Sequence, residues 1–474
     1  MERHEAEAIY AAGREAVVEV LLGMDRQIQT LTERVERLER ELAKNSKNSS
    51  RPPSSDSSSV KKRGKPARPK GPSGKSQGAQ PGHGGKGREL LPSWACDEVV
   101  QYWPERCRCG HAFCESERVA MGDPVRHQVE ELPQISTIVV EHQCPRVRCP
   151  GCGRRQRAQL PTEIAASAFG PRLQAAIATV SVRNRISRRD AVELVEQLFG
   201  ARISTGTIDA ILARAADALA DPYEDLLDRV RAAGAINMDE TGWRLQGAQR
   251  TLWGAFTERH AVLQVTDSRH EEHARAILGD TTAVVCSDRW WAYSHLALAR
   301  RQICWSHLQR DFQAQFEGIG AEHELGQVGL EICDQLFFAW EAFQHTGDRR
   351  QLTRVIRRLQ RRLKPILRTY AGKKPRYKRT RGLAKNLLKI WAALWTFAKV
   401  KSVTPTNNHA ERGLRGAVIY RKLSLGSQSA DGETRIARLL SAHTTCRLQA
   451  RSLFDYLAEV LTHHARGASV PLLA

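Results

Sequence analysis

The predicted fold of this chain is decided by one stretch, Asn237-Met238-Asp239-Glu240-Thr241-Gly242-Trp243. It follows a run of small and apolar residues at 232–236 and precedes a second apolar run at 252–256. This pattern predicts two short strands, with Asp239 at the end of the first. A strand fixes the backbone there, and a carboxylate is a hard oxygen ligand of the kind Mg²⁺ requires. A solvated turn is the alternative, so the prediction depends on partners for Asp239 elsewhere in the chain.

The bulk composition indicates a large basic protein. The chain has 474 residues, which is too long for one core, so two to four domains are expected. Lys and Arg number 73 against 52 acidic residues, a net charge of +21, which favours nucleic acid as partner over an anionic membrane surface. A membrane span and a signal peptide are not expected. In the cytosol, the 11 cysteines are expected as thiols or metal ligands.

An apolar seam runs through residues 1–44, with members spaced alternately four and three residues apart. Its members are Val17, Leu21, Met24, Ile28, Leu31, Val35, Leu38 and Leu42. A period of 3.5 predicts a leucine-zipper coiled coil that makes the protein a homo-oligomer. A single amphipathic helix packed on its own chain is the alternative.

Residues 45–92 are predicted to be a disordered basic linker, because Ser, Pro, Gly and Lys dominate without apolar periodicity. Residues 44–88 contain eight Lys and four Arg against one acid, Asp56, a net charge of +11. A solubilising linker and non-specific phosphate contact are both compatible with this composition.

Residues 93–160 contain two groups of cysteines about thirty residues apart, a pattern that predicts a zinc ribbon with a structural Zn²⁺. The predicted ligands are Cys107, Cys109, Cys149 and Cys152. The spacing of the first pair is tight, so His111 or Cys114 could replace one of its members. The apolar residues 135–140 between the groups are predicted to form a strand. Buried thiols without metal are the alternative.

Residues 161–232 are predicted to be helical and to bind DNA. The run Ala191–Gly200 ends on a Gly, which is a C-cap signal, and Ser204 can cap a following helix that continues to Ala218. Two helices joined by such a turn fit a helix-turn-helix. An ordinary helical hairpin fits equally well.

Residues 233–445 alternate strands with helices. Strands are predicted at 236–239, 251–256, 261–266, 283–287 and 301–305, with a helix at 271–278. This order is typical of an α/β RNase H-like domain, in which the first and fourth strands are neighbours. Asp288 follows the fourth strand, so Asp239 and Asp288 are expected side by side.

A helical insertion is predicted at about 310–400, with Trp391 and Trp395 in its core. Beyond it, Asn407 or Asn408 can cap a helix that carries Glu411 in its first turns. The basic residues on this helix are predicted to contact DNA phosphates. They are Arg412, Arg415, Arg421 and Lys422. Residues 446–474 are expected to form a C-terminal helical tail.

Two Asp from adjacent strands and one Glu from a helix can hold two Mg²⁺ ions about 3.5–4 Å apart, an arrangement suited to in-line attack on phosphorus. Asp239, Asp288 and Glu411 are therefore the candidate catalytic residues. Glu240 points to the opposite face of an extended strand, so it is expected to lie outside the metal site. Cys304 and His307 form a Cys-x-x-His, for which a core thiol before a helix is preferred over a metal site.

Several long motifs in the same order resemble the transposases of the insertion sequence 66 family, which are bacterial DDE-type enzymes. The motifs are Met238-Asp239-Glu240-Thr241-Gly242-Trp243, Ser287-Asp288-Arg289-Trp290, Cys304-Trp305-Ser306-His307-Leu308 and Asn407-Asn408-His409-Ala410-Glu411-Arg412. The resemblance runs nearly end to end, but the tight Cys107-x-Cys109 spacing departs from the family pattern.

The resemblance implies a triad at Asp239, Asp288 and Glu411, with Mg²⁺-dependent cleavage at terminal inverted repeats and joining of 3′ ends to target DNA. It also implies a bacterial, nucleoid-associated protein in the cytoplasm. A transposon-derived DNA-binding protein without catalysis is the alternative, as is a nuclease without strand transfer. The sequence leaves open whether accessory proteins of the same element take part.

Overall fold

The structure is a computed structural model that describes residue 4 and residues 10–43, 88–133, 135–372 and 377–473. Most of the predicted basic linker lies outside the described residues. The chain divides into two compact units, Lys62–Thr137 on the one hand and Met1–Lys61 with Ile138–Ala474 on the other. The division falls between the two groups of cysteines.

The elements of the described residues are numbered here in chain order. The helices are α1 (Arg14–Ala43), α2 (Thr162–Ala165), α3 (Pro171–Val182), α4 (Arg188–Phe199), α5 (Thr205–Ala218), α6 (Ala220–Ala232), α7 (Glu271–Leu278), α8 (Trp305–Phe316), α9 (Ala321–Thr346), α10 (Arg349–Ala371), α11 (Lys378–Lys389), α12 (Asn408–Ser424), α13 (Ala430–Leu448) and α14 (Leu453–Ala465). The strands are β1 (Arg146–Arg148), β2 (Arg155–Arg157), β3 (Ala235–Leu245), β4 (Ala248–Phe256), β5 (Ala261–Thr266), β6 (Val284–Ser287) and β7 (Arg301–Ile303).

The N-terminal helix α1 carries the predicted heptad seam. Its apolar side chains Leu21, Ile28 and Leu31 are each more than half exposed. Leu38 and Leu42 lie outside the described side chains. The helix itself is confirmed, and self-association through the exposed seam remains a prediction.

The prediction of a strand at residues 135–140 is wrong. The described residues there form no strand, and Ile138 and Val139 are about nine-tenths exposed, at 92% and 89%. β-Branched composition favours an extended backbone, but a strand also needs a hydrogen-bonding neighbour, and none of the described residues pairs with this segment. The strands that do form around the second cysteine group are the short antiparallel pair β1 and β2.

Helices α4 and α5 are joined as the sequence predicts. Gly200 ends α4 with a left-handed backbone (φ 65°), and the Ser204 hydroxyl accepts a hydrogen bond from the Thr207 N–H at the start of α5. However, α5 packs against α3, α4, α13 and α14, and it buries Ile208 and Ile211. A recognition helix also buries one side against its own domain, and α5 keeps exposed residues on its other side, so the helix-turn-helix stays a prediction beside the ordinary helical hairpin.

A five-stranded sheet forms the centre of the larger unit, in the order β5-β4-β3-β6-β7. The hairpin strands β3, β4 and β5 are antiparallel, whereas β3, β6 and β7 run parallel. All five predicted strands and the predicted helix α7 are present. The predicted adjacency of the first and fourth strands is confirmed by the pairing of Asn237 with Cys286.

The first strand is longer than predicted, because β3 continues through Asp239 to Leu245. It turns into β4 through Gln246 and Gly247, both of which have positive φ (49° and 87°). This two-residue hairpin turn lacks the Asn-Gly or Asp-Gly signal that marks such turns in a sequence. Asp239 therefore lies inside the hairpin, although it also lies just beyond the parallel pairing with β6.

Two buried clusters support the sheet. One joins α3–α6, the sheet and α12–α14, and the other joins α8–α11 with residues 390–403. Trp395 is 2% exposed and contacts Trp391 and Trp305, so the predicted core placement is confirmed for Trp395. No helix in the part of the chain that the structure describes is long and apolar enough to cross a membrane.

Candidate active site

Asp239 lies on β3, and Asp288 directly follows β6. The last parallel pair of these strands is Asn237 with Cys286, so the two Asp residues stand two positions further along each strand. Asp288 Oδ1 accepts a hydrogen bond of 2.8 Å from the Trp290 N–H, which fixes the carboxylate at the strand end. The sheet thus brings together the first two predicted site residues.

Glu411 lies in the first turn of α12, which packs against β3 and β4. Asn407 occupies the N-cap position of α12, but its side chain does not cap the helix. Instead, Asn407 Nδ2 donates to the Met238 carbonyl (2.8 Å), and Asn407 Oδ1 accepts from Asn237 Nδ2 (3.0 Å). The Asn407 side chain is fully buried, and its two hydrogen bonds hold the start of α12 against the strand that carries Asp239.

The electrostatics of Asp239 link the three predicted carboxylates. Burial raises the pKa of Asp239 well above its usual value, and the negative charges of Glu240, Asp288 and Glu411 raise it further. These side chains therefore repel one another in poorly solvated surroundings. Among the described residues, no three His, Cys, Asp or Glu side chains are already arranged to hold a metal ion.

Glu240 is held by side chains that follow β5 and β6 along the chain, and the negative charge of Asp288 contributes to raising its pKa after burial. Its carboxylate is 1% exposed, and it accepts hydrogen bonds from the Tyr293 hydroxyl (2.5 Å) and the Arg269 guanidinium. The same guanidinium lies 4.0 Å from Asp288 Oδ2 and stacks over the Trp290 ring. Glu240 thus has partners of its own, and Arg269 joins it to Asp288.

Two basic residues of α8 adjoin Glu411, and the sequence did not single them out as site residues. His307 Nδ1 and Arg310 each lie 3.8 Å from Glu411 Oε1. Burial, followed by the positive charge of Arg310, lowers the pKa of His307 to about 4.

Cys304 is fully buried at the start of α8, and its sulfur accepts a hydrogen bond from the Asn407 N–H, so the preferred interpretation as a core thiol is confirmed. The Cys-x-x-His spacing was the available signal for His307.

The predicted DNA contacts on α12 fall into two groups. Arg412, Arg415 and Lys422 are exposed, at spacings that place them near one side of the helix. Arg421 is different, because its guanidinium donates to the Gly242 carbonyl and to Thr241 Oγ1. Its donors are therefore partly occupied in holding α12 against β3.

Each of the two cysteine groups makes hydrogen bonds within itself. In the second group, Cys149 and Cys152 lie in the turn between β1 and β2, where the backbone N–H groups of Cys152 and Gly151 lower the pKa of the Cys149 thiol. In the first group, hydrogen bonds from the His111 backbone and the Cys107 side chain lower the pKa of Cys109. His111 Nε2 lies 3.1 Å from Glu117, and Cys114 Sγ lies 3.1 Å from the Ser116 hydroxyl.

A mixed helical and sheet fold with a central sheet is the architecture of an α/β transposase domain. Residues 166–435 match the family model described as transposase IS66 family. This match covers more than half of the chain, so the chain belongs to the IS66 transposase family and is a transposase.

Two further matches were found. Residues 2–89 match a family of unknown function, DUF6444. An uncharacterized protein of Sinorhizobium fredii, y4hP, is 24% identical over 409 residues, which cover 78% of this chain and 72% of the relative.

Proposed function

We propose that this protein is a DDE-type transposase that binds the terminal inverted repeats of its element, cleaves there and joins the 3′ ends to target DNA. Asp239, Asp288 and Glu411 are the proposed catalytic residues. The observation that carries the proposal is the geometry: Asp239 and Asp288 lie two positions beyond the last pair of neighbouring parallel strands, and Glu411 lies in the first turn of the helix that packs on β3. The strand order β5-β4-β3-β6-β7 supports assignment of the sheet to the RNase H-like class.

The proposed triad fits Mg²⁺ by its donor chemistry. Three carboxylates supply hard anionic oxygens, and a bound cation would offset both the loss of solvation and the neighbouring negative charges that raise the pKa of Asp239. Asp239, Asp288 and Glu411 would hold two Mg²⁺ ions, which would supply activation of the attacking oxygen and stabilisation of the leaving oxygen in an in-line displacement. Glu240 is not part of this set, because Tyr293 and Arg269 already occupy its oxygens.

The residues around the triad act by positioning and by charge. Asn407 holds the start of α12 against β3, which sets the position of Glu411 relative to Asp239. Arg421 holds the same helix further along, at Gly242. Arg412, Arg415 and Lys422 are exposed on the helix that carries Glu411, where they would contact phosphates of the bound DNA end.

The remaining modules are proposed to organise the DNA complex. Cys107, Cys109, Cys149 and Cys152 would hold a structural Zn²⁺, and the lowered pKa values of Cys109 and Cys149 favour the thiolate form that binds zinc. The exposed seam of α1 would join copies of the chain as a coiled coil. Because its proposed substrate is DNA, the protein would associate with the bacterial nucleoid. This proposal holds with or without accessory proteins of the same element.

The test is a strand-transfer assay with Mg²⁺ on DNA that carries the ends of the element. Wild type should join ends to target DNA, and Asp239→Ala should lose more than roughly 100-fold, because even outer contacts of a metal site are worth 10–100-fold. Glu240→Ala is the matched control and should keep more activity. If Asp239→Ala joins ends as well as wild type, the triad is wrong. If wild type binds ends but never joins them, the non-catalytic alternative holds.

A further inference from the structure

Helix α10 carries an unusual concentration of positive charge. Its 23 residues include eight Arg and Lys364 but no Asp or Glu. Six of the arginines are exposed and form what we call the arginine stripe. They are Arg350, Arg354, Arg357, Arg358, Arg361 and Arg368.

The basic residues of α10 that face the protein have partners. Arg349 donates to the carbonyls of Phe397 and Ala398, Arg362 pairs with Glu331, and Lys364 lies over the Trp391 ring. In contrast, no side chain of the arginine stripe has an ion pair or hydrogen bond with any described residue. Elsewhere, exposed arginines such as Arg188 and Arg275 pair with nearby acids. The arginine stripe therefore lacks the acidic partners that other exposed arginines of this protein have.

The spacing of the stripe works against the stability of the helix. Arg350 and Arg354, Arg354 and Arg358, and Arg357 and Arg361 are i,i+4 pairs of like charge, which destabilise a helix. A bound polyanion would turn this repulsion into attraction. From Arg350 to Arg368 the stripe spans about 27 Å at 1.5 Å per residue. That length corresponds to about eight base pairs of duplex at 3.4 Å each.

The neighbouring helix α11 extends the basic surface towards the candidate active site. It packs against α10, contains no acid and exposes Lys385 and Lys389. Asn386, one residue from Lys385, accepts a 2.8 Å hydrogen bond from Arg289, which directly follows Asp288. The basic face of α11 thus begins at the edge of the proposed triad.

We propose that the arginine stripe binds the phosphate backbone of the target DNA duplex without regard to its sequence. Every exposed position from 354 to 361 is arginine, so this part of the helix presents one repeated donor type rather than a varied set for base recognition. A target must be accepted with varied sequence, whereas an element end is selected by its sequence. The assignment to target DNA rests on the proposed strand-transfer function, and the affinity for duplex DNA does not.

The test removes charge from the centre of the stripe in the full-length chain. The variant carries Arg354→Gln, Arg357→Gln, Arg358→Gln and Arg361→Gln, and the control carries Lys at the same four positions. Binding of a random-sequence duplex without Mg²⁺ is measured across a salt series. The Gln variant should bind roughly tenfold more weakly and lower the slope of log K against log salt by roughly 3 to 4, about 0.9 for each lost contact. The Lys control should stay near wild type, since lysine keeps the charge.

A second measurement separates target DNA from element ends. The Gln variant should cleave element ends like wild type and insert pre-cleaved ends into a plasmid target roughly tenfold less. Equal loss of cleavage and insertion would assign the stripe to element ends and overturn the proposal. Unchanged duplex binding, or a Lys control as weak as the Gln variant, would also overturn it. A wild-type chain that binds duplex through the stripe but joins no ends would instead contradict the proposed function.

Discussion

At the scale of single residues, the elements that carry the three carboxylates could be predicted, but the contacts that position them could not. Asp288 was predictable because a buried strand precedes it, and Glu411 because it follows a helix-cap signal. The hydrogen bond from Asn237 to Asn407 joins residues 170 positions apart, and the bond from Tyr293 to Glu240 joins residues 53 apart. Local periodicity carries no information on such pairs. The same holds for His307 and Arg310 beside Glu411.

Asn407→Ala is expected to lower both stability and activity. The substitution leaves the Met238 carbonyl and the Asn237 side chain without their buried partner, which costs about 1–3 kcal/mol of unfolding free energy. Because α12 then loses its tie to β3, strand transfer should fall as well. Urea unfolding and the strand-transfer assay measure the two effects. Asn408→Ala is the control, since the Asn408 side chain makes no hydrogen bond with any described residue. Equal behaviour of the two variants would refute the positioning role.

At the scale of elements, strand and helix types were predictable, but β3 was predicted too short. The apolar runs on both sides marked the strands, whereas the Gln246-Gly247 turn gave no recognised hairpin signal. The close approach of α12 to β4 was not predictable either. It depends on Gly413, because a Cβ at this position would collide with the buried ring of Phe256.

Gly413→Ala should destabilise the protein, although the same change usually stabilises a helix. Overpacking against Phe256 costs about 1–3 kcal/mol, which exceeds the helix-propensity gain of about 1 kcal/mol. The control is Gly382→Ala on α11, where a Cβ meets open space and should stabilise by about 0.5–1 kcal/mol. The midpoints of urea unfolding should move in opposite directions. A stabilised Gly413→Ala protein would show that α12 does not pack closely on β4.

At the scale of the whole molecule, the order of helical and sheet regions was predictable from changes in period and composition. The prediction of a strand at 135–140 was wrong because apolar composition alone does not supply a neighbouring strand to pair with. The net charge of +21 predicted a polyanionic partner, but only the structure separates the paired arginines from the unpartnered stripe on α10. The central claim remains the joint role of three carboxylates that are far apart in the sequence.

The most direct test of that claim counts metal ions. The full-length protein, bound to a duplex that carries an element end, is titrated with Mn²⁺, and free Mn²⁺ is followed by electron paramagnetic resonance. Wild type should bind two ions at the site, as a two-metal centre requires. Asp239→Asn, Asp288→Asn and Glu411→Gln should each lose metal, whereas Glu240→Gln should bind like wild type. Unchanged binding in the three variants, or equal loss in Glu240→Gln, would contradict the proposed site.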